Sequence, residues 1–384
     1  MVNVMIGDHA SRLNLLGPYR YVIKCTGLDC SIFSNSMRCF YYISTAFSIL
    51  VILVQFFRMA IFIKVEAHVL SFAWAESNYF GFMSIHGMVC SLCIFGWTKN
   101  RFIPNLIDDL IQLSSLRISP NADLDNYKCL QLKCAIFSIP LFVVALAYSI
   151  YSAIQHKVLL GGNETLIYLY ILMPILTFHS CLIISCTLAI YVIANVALTR
   201  EVEYLNHEME KAEKDHNLQN LNVISLFSLR QIQILKVIQR ANNSLGSYGN
   251  FGPIFSCFAF VNGVYLTSFL NAIPIVPFVF LMLNVVVCTF ITLLTFIPAC
   301  KLQNEIEKTA RLIMMNCEFE HRKDLYRIYR LMRERILQSD TALYVLNGIP
   351  IKSKPINIAI FIIPNIGALL LLLKKCLNYN GINF

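Results

Sequence analysis

Six polar side chains interrupt long apolar stretches of this sequence: Arg58, His86, His179, Asn262, Tyr265 and Asn284. A charge at the centre of a membrane-crossing helix costs about 2.5–3.5 kcal/mol, so polar groups at that depth are candidates for ligand contact. Arg58 lies near the end of its apolar run; its guanidinium either snorkels to the headgroups or lines a cavity. His86 and His179 lie deep in theirs. Each is read either as a neutral imidazole hydrogen-bonded to a neighbouring helix or as a ligand contact. Asn262, Tyr265 and Asn284 contact a ligand or join helices through hydrogen bonds.

Other chemistries find little support. No two Asp or Glu share an apolar run, so the paired acid and base of an intramembrane hydrolase are missing. Cys90 and Cys93 have a metal-ligand spacing, yet they stand inside an apolar run and read as packing residues. No phosphate-binding glycine loop and no zinc-ligand cluster occurs, so neither enzyme activity nor a cofactor is expected.

The elements that must position these residues follow from composition. The chain has 384 residues, 57% hydrophobic and only 14% charged, where soluble domains carry about 25% charged residues. The charges are gathered in blocks between uncharged runs of about 20 residues, long enough to cross about 30 Å of hydrocarbon. The net charge of +9 is assigned to loops facing a membrane, not to nucleic acid, because no basic stripe is interleaved with stacking aromatics. Most of the 14 cysteines lie in apolar runs or basic loops and read as small hydrophobes.

Seven apolar runs stand out, about 39–63, 79–97, 134–153, 166–198, 251–271, 278–300 and 355–373. A helix is the open-ended element that satisfies its own backbone in lipid, which makes this an all-α polytopic membrane protein with seven transmembrane helices. Pro274 and Pro277 break the chain between the fifth and sixth runs into a tight hairpin. Four segments sharing one side hold 26 of the 31 Lys and Arg, the other side holds four, and Arg58 completes the set. That bias puts the N-terminus in the cytoplasm. The first run starts too late for a cleaved signal, so the first helix is expected to act as its own anchor. Asn163-Glu164-Thr165 is a glycosylation acceptor pattern, and this topology places Asn163 outside.

Helices also continue into water. Leu302, Ile306, Ala310, Ile313 and Cys317 recur at helical spacing between charges, and so do Leu325, Ile328, Tyr329, Met332 and Ile336. Leu221, Ile224, Ile232, Leu235 and Ile238 behave alike, with no Gly or Pro from Asn222 to Arg240. Such helices either lie on the anionic leaflet or pack together as a cytoplasmic bundle. The acidic residues Glu201, Glu203, Glu208, Glu210, Glu213 and Asp215 favour the bundle. The expected order is a cytoplasmic segment 1–38, helices one to four over 39–200, and a cytoplasmic extension over 201–250. Helices five and six over 251–300, an anchor over 301–354, and helix seven with a short outer tail over 355–384 follow.

This arrangement resembles the invertebrate gustatory receptor family, with its odorant-receptor cousins and nematode relatives. The local match runs from Cys300-Lys301-Leu302-Gln303-Asn304-Glu305 through Lys308-Thr309 to the last run. The family's final helix carries Thr-Tyr, five apolar residues and Gln-Phe. Here Gly367-Ala368, Leu369 to Leu373 and Lys374-Lys375 occupy that frame, so only the apolar positions agree. The departure points to a divergent or nematode-type member. The resemblance implies a plasma-membrane ligand-gated cation channel, a homo- or hetero-tetramer with a pore at the last helix and an unknown small-molecule ligand among helices one to six. Asn365, Leu369 and Lys374 would then line the pore. A ring of Lys374 and Lys375 would repel cations, so those side chains point away or the pore is not cation-selective. The rival class is a seven-helix serpentine chemoreceptor signalling through a G protein, which requires the opposite threading. No Asp-Arg-Tyr-type triplet ends the third run, and Pro364-Asn365 is not followed by the Asn-Pro-x-x-Tyr of such receptors.

Overall fold

The computed structural model describes residues 14–25, 72–118, 126–159, 164–269, 275–314, 322–339, 341–345 and 349–351, with isolated helical positions between 39 and 53. Apolar runs two to six each lie in one long helix. Most of run one and all of run seven fall outside the described residues, as do Arg58, Asn163, Asn365, Leu369 and Lys374.

A short helix α1 (Tyr19–Cys25) precedes α2 (Phe72–Lys99), α3 (Phe102–Ser115), α4 (Lys128–Leu159) and α5 (Glu164–Lys214). Then come α6 (Leu221–Phe269), α7 (Ile275–Met314) and α8 (Lys323–Gln338), and a two-residue antiparallel pairing of β1 (Tyr344–Val345) with β2 (Ile349–Pro350). Over the expected extension 201–250 the helices run on: α5 is unbroken for 51 residues and α6 for 49. A sharp reversal joins them. His216 takes the left-handed conformation at φ 56°, and Leu218 is buried beneath the turn. Pro140, Pro174 and Pro298 lie inside helices, where neighbouring helices can absorb the lost backbone bond. Pro277 falls within the first turn of α7, where a missing N–H is harmless, and Pro274 lies outside the described residues.

Helix α3 is an element that the reading of apolar runs passes over. Arg101 turns the chain at φ 51°, and Phe102, Ile103, Leu106, Leu110 and Leu113 bury one face of the helix. Fourteen residues are too short to cross a bilayer but long enough to cover the end of the bundle.

Among the described residues, four helices are long and apolar enough to cross a membrane: stretches of α4, α5, α6 and α7. They differ in burial. The apolar window of α5 is 89% buried, against 33% for α4 and 29% for α7. Helix α5 is thus the centre, while α4 and α7 turn Ile136, Ile139, Val143, Val279, Met282 and Val286 outward. In water such surfaces would aggregate; in lipid they cost nothing. The qualifying stretch of α6, Leu221–Gly252, carries Arg230, Lys236 and Arg240. Its ion pairing (below) makes this half a poor candidate for the hydrocarbon, and the uncharged half after Arg240 a better one.

Side-chain pairs fix how the helices run. Lys301 Nζ meets Glu203 Oε1 at 2.6 Å, and Lys308 Nζ meets Glu210 Oε1 at 2.9 Å. Between them Asn206 donates to the Glu305 carbonyl at 3.0 Å and accepts from Thr309 Oγ1 at 2.6 Å. The constant offset makes α5 and α7 parallel and in register. Trp97 Nε1 donates to the Ser244 carbonyl at 2.8 Å, and Arg200 Nη1 to the Asn126 carbonyl at 2.9 Å. The last turn of α2, the first of α4, the C-terminal parts of α5 and α7 and the N-terminal half of α6 therefore share one end. Apart from Lys157 near the far end of α4, that end holds the basic residues of the described helices from Lys99 to Arg335.

The amphipathic pattern there packs largely as its spacing requires. Leu302, Ile306, Ala310, Ile313, Leu325, Tyr329 and Met332 are buried. On α6 the buried set is Ile224, Phe227, Ile234, Leu235 and Ile238, while Leu221 is 44% exposed. Helix α8 docks through Gln231 Nε2 on the Met332 carbonyl (3.3 Å) and Arg335 on Ser228 Oγ (2.8 Å). Burial, and secondarily the Glu213 carboxylate, raises the Tyr329 phenol above its ordinary range.

At the centre of this end lies a buried ion cluster. Arg117, just past α3, pairs with Glu201; Arg230 of α6 pairs with Glu208 and stands 3.6 Å from Glu201 Oε2. The Ile118 amide donates to Glu208 Oε1 at 3.1 Å, and both guanidinium groups lie over the Tyr204 ring, at 5.9 and 5.4 Å. All four charged side chains are 2–6% exposed. Two cations against two carboxylates leave no net charge, which is what makes burial tolerable. Arg230→Met should uncover a carboxylate and lower stability by about 3–5 kcal/mol, with Arg230→Met/Glu208→Gln recovering part of that loss in thermal melts followed by size exclusion. The half-exposed Asp109–Arg240 pair is the contrast. Burial raises the Asp109 carboxyl despite Arg240, and Asp109→Asn should shift stability by less than about 1 kcal/mol.

Candidate functional site

His86 of α2 is buried and lies against α6, its ring stacked 5.8 Å from Phe255 and 6.3 Å from Tyr248. Tyr248 in turn meets Tyr191 of α5 at 5.1 Å. Gly252 keeps that arrangement possible, since an added Cβ would come within 2.6 Å of the Tyr248 ring. The His86 Nε2 atom has no hydrogen-bond partner among the described residues. A buried imidazole held by aromatic faces, with a nitrogen that meets no hydrogen-bond partner among the described residues, keeps His86 a candidate for ligand contact.

A second aromatic group sits between α4 and α7. Tyr148 and Tyr151 meet Phe280 at 5.3 and 6.1 Å, and Phe142 meets Phe178 of α5 at 5.6 Å. His179, half-buried, follows Phe178, and Asn284 stands one turn from Phe280. Asn284 Oδ1 accepts from Cys288 Sγ at 3.7 Å. The described candidates thus do not form one cluster: His86 packs with α6, His179 follows the Phe178 that meets Phe142 of α4, and Asn284 stands on α7 a turn from Phe280. Asn262 and Tyr265 belong to α6, their side chains lying outside the described residues. Cys90 and Cys93 are buried core thiols. Among the described residues no three His, Cys, Asp or Glu come together as a metal site.

The third feature joins these helices to the end of the chain. The Thr341 carbonyl accepts from Asn242 Nδ2 of α6 at 2.6 Å and also from Gln303 Nε2 of α7. Leu343 and Ile351, linked by an Ile351 N–H to Leu343 carbonyl bond of 2.7 Å, are buried, with Leu343 beside Gly249 of α6. The segment that feeds the last apolar run is thereby clamped to α6 and α7. No sequence pattern flagged Asn242 or Thr341, and Gln303 stood out only as part of the family-like stretch Cys300 to Glu305; amides gripping a backbone carbonyl leave no periodic trace. The ion cluster did leave one. Glu201, Tyr204 and Glu208 recur at three and four residues on one face of α5.

A chain built of long helices leaning on one buried helix and gathered at a charged helical end defines a class: the fold is that of insect olfactory receptors. The olfactory receptor OR5 from Machilis hrabei superposes with a TM-score of 0.67 at 10% identity, over 93% of this chain and 100% of the receptor. The same receptor in complex with eugenol gives a TM-score of 0.73 at 8% identity, over 96% and 99%. The chain itself belongs to the DUF267 family, described as "Caenorhabditis protein of unknown function", whose sequence model matches residues 15–367. No curated protein matches it.

His86→Phe should keep the stack and remove the unpaired nitrogen. The expected result is an unchanged or raised melting temperature, because replacing an unsatisfied buried polar group by an apolar one of similar shape is neutral or stabilising. A clear fall would show that Nε2 has a structural partner.

Proposed function

We propose that this protein is a chemosensory receptor of the insect olfactory and gustatory type, in which a small molecule opens a cation pore around the last helix. The single observation that carries this reading is the end-to-end likeness to OR5, over 93–96% of this chain and 99–100% of the receptor. In this reading seven helices cross the plasma membrane, the N-terminus is cytoplasmic, and four homologous or identical subunits surround the pore. The gathering of the basic segments at one end of the bundle supports that threading, because the positive-inside bias then acts on a single surface.

The ligand site would be the outer halves of α4, α5 and α7, where Tyr148, Tyr151 and Phe280 offer ring faces and His179 and Asn284 offer hydrogen bonds. His86 would report to it from α2. Aromatic walls with a few polar groups suit small, mostly apolar molecules; eugenol, which OR5 holds, is of that kind. The clamp on Thr341 would carry the response. A shift of α6 or α7 within the membrane moves Asn242 or Gln303, and the carbonyl they share moves the lead-in to the last helix.

Expression of the chain alone, followed by recording with eugenol and related aromatic alcohols while G-protein signalling is blocked, tests the channel. Evoked current that survives the block is expected; current abolished by it would favour the serpentine-receptor class. An epitope tag at Met1 should stain only permeabilised cells, and staining of intact cells would overturn the threading. Asn242→Leu/Gln303→Leu should reach the surface and assemble yet lose most of the evoked current. Full current in that variant would sink the clamp as the coupling element.

A further inference from the structure

Two hollows lie end to end along the seam where α4 and α7 meet over α5. The first is a cavity of about 200 Å³ with apolar walls, among them Leu141, Leu188, Phe290 and Leu294. The second, of about 240 Å³, is lined by Lys133, Arg200, Glu203 and Lys301. On each helix the lining simply moves along: from 134–141 to 129–133 on α4, from 185–192 to 196–203 on α5, and from 287–294 to 298–301 on α7. From 185 to 192 on α5 the apolar part spans roughly 10 Å at 1.5 Å per residue, about a third of a 30 Å hydrocarbon core. The polar part continues from it toward the charged end of the bundle, the end that would meet the headgroups.

The charges there do not cancel. Lys301 is paired with Glu203 at 2.6 Å, and Arg200 is held by the Asn126 carbonyl at 2.9 Å and by the Tyr127 ring, 4.9 Å from its centroid. Lys133 is exposed and has no carboxylate partner among the described residues. Among the described residues that line it, three cations stand with one carboxylate, in a hollow whose other end is an apolar slot. A free anion would use the cations and leave the slot empty, and a neutral lipid would use the slot and leave the excess charge.

We propose that this seam binds an anionic phospholipid of the cytoplasmic leaflet, its phosphate among Lys133, Arg200 and Lys301 and one acyl chain in the slot. The leaflet rests on the threading proposed above; the binding does not. A detergent micelle has no sides, so failure of the site and failure of the threading, which the Met1 tag reads, are separate results.

The test is native mass spectrometry of the purified full chain titrated with dioleoyl phosphatidylserine, dioleoyl phosphatidylcholine and soluble phosphoserine. Phosphatidylserine should be retained at a tenth or less of the phosphatidylcholine concentration, and phosphoserine should not displace it. Lys133→Gln/Lys301→Gln should weaken retention by about 25-fold, roughly fivefold for each lysine at a membrane surface. Ala189→Phe, which fills the slot without changing charge, should weaken it as well. Equal retention of the two lipids, an unaffected lysine variant, or displacement by phosphoserine would each overturn the proposal. Lys133 is exposed and lies outside the α5–α7 ladder, so Lys133→Gln alone keeps the fold and, by weakening retention about fivefold, decides the matter if the other two variants do not.

Discussion

Helix α5 sets the terms for the rest of the structure. In hydrocarbon a backbone must satisfy its own N–H and C=O groups, so a span is a helix from one face to the other. Helix α5 does not stop at that face; its 51 residues carry the same hydrogen-bond ladder on into the charged end. One rigid rod therefore presents apolar side chains at one level and Glu201, Asn206 and Glu208 at another. The 89% burial of its apolar stretch follows: a rod that every neighbour must use ends up in the middle.

The ion cluster and the α5–α7 ladder divide the work at that end. Arg117 and Arg230 tie α3 and α6 to α5 through dry, balanced charges that break at high cost. The ladder of Lys301, Glu305, Thr309 and Lys308 is half-wet and weak pair by pair, yet it specifies register, because sliding by one turn would set Glu203 and Glu210 against the wrong partners. Strong contacts fix which helices meet; weak ones fix where along their length.

Much of the fold could be read from residue types. Apolar runs two to six became helices, and the spacing of Leu302, Ile306, Ala310 and Ile313 named a buried face correctly, because hydrophobic period is a local property. Helix α3 escaped because fourteen residues between charges resemble a loop when long runs are sought. Arg117 and Arg230 escaped for a different reason. Counted as markers of sidedness they are two positive charges among 31, and only tertiary contact shows that both are buried against carboxylates. His86 was legible as a polar residue in an apolar run, but the Phe255 and Tyr248 rings that enclose it lie more than 160 positions away in sequence, and no local pattern brings them together.

The proposed lipid seam and the clamp on Thr341 meet on α7. Lys301 and Gln303 are two residues apart, and two steps of about 100° turn their side chains to nearly opposite faces of the helix. One faces the seam with α4 and α5, the other the segment leading to the last span. Neither contact can be altered by rotating α7 without disturbing the other, since Asn206 and Thr309 hold the register just beyond them. In the proposed reading, a headgroup gained or lost at Lys301 would act on the same stretch of helix that grips the Thr341 carbonyl. The composition of the surrounding leaflet and a ligand at the proposed outer site would then address the segment after Thr341 through one shared lever.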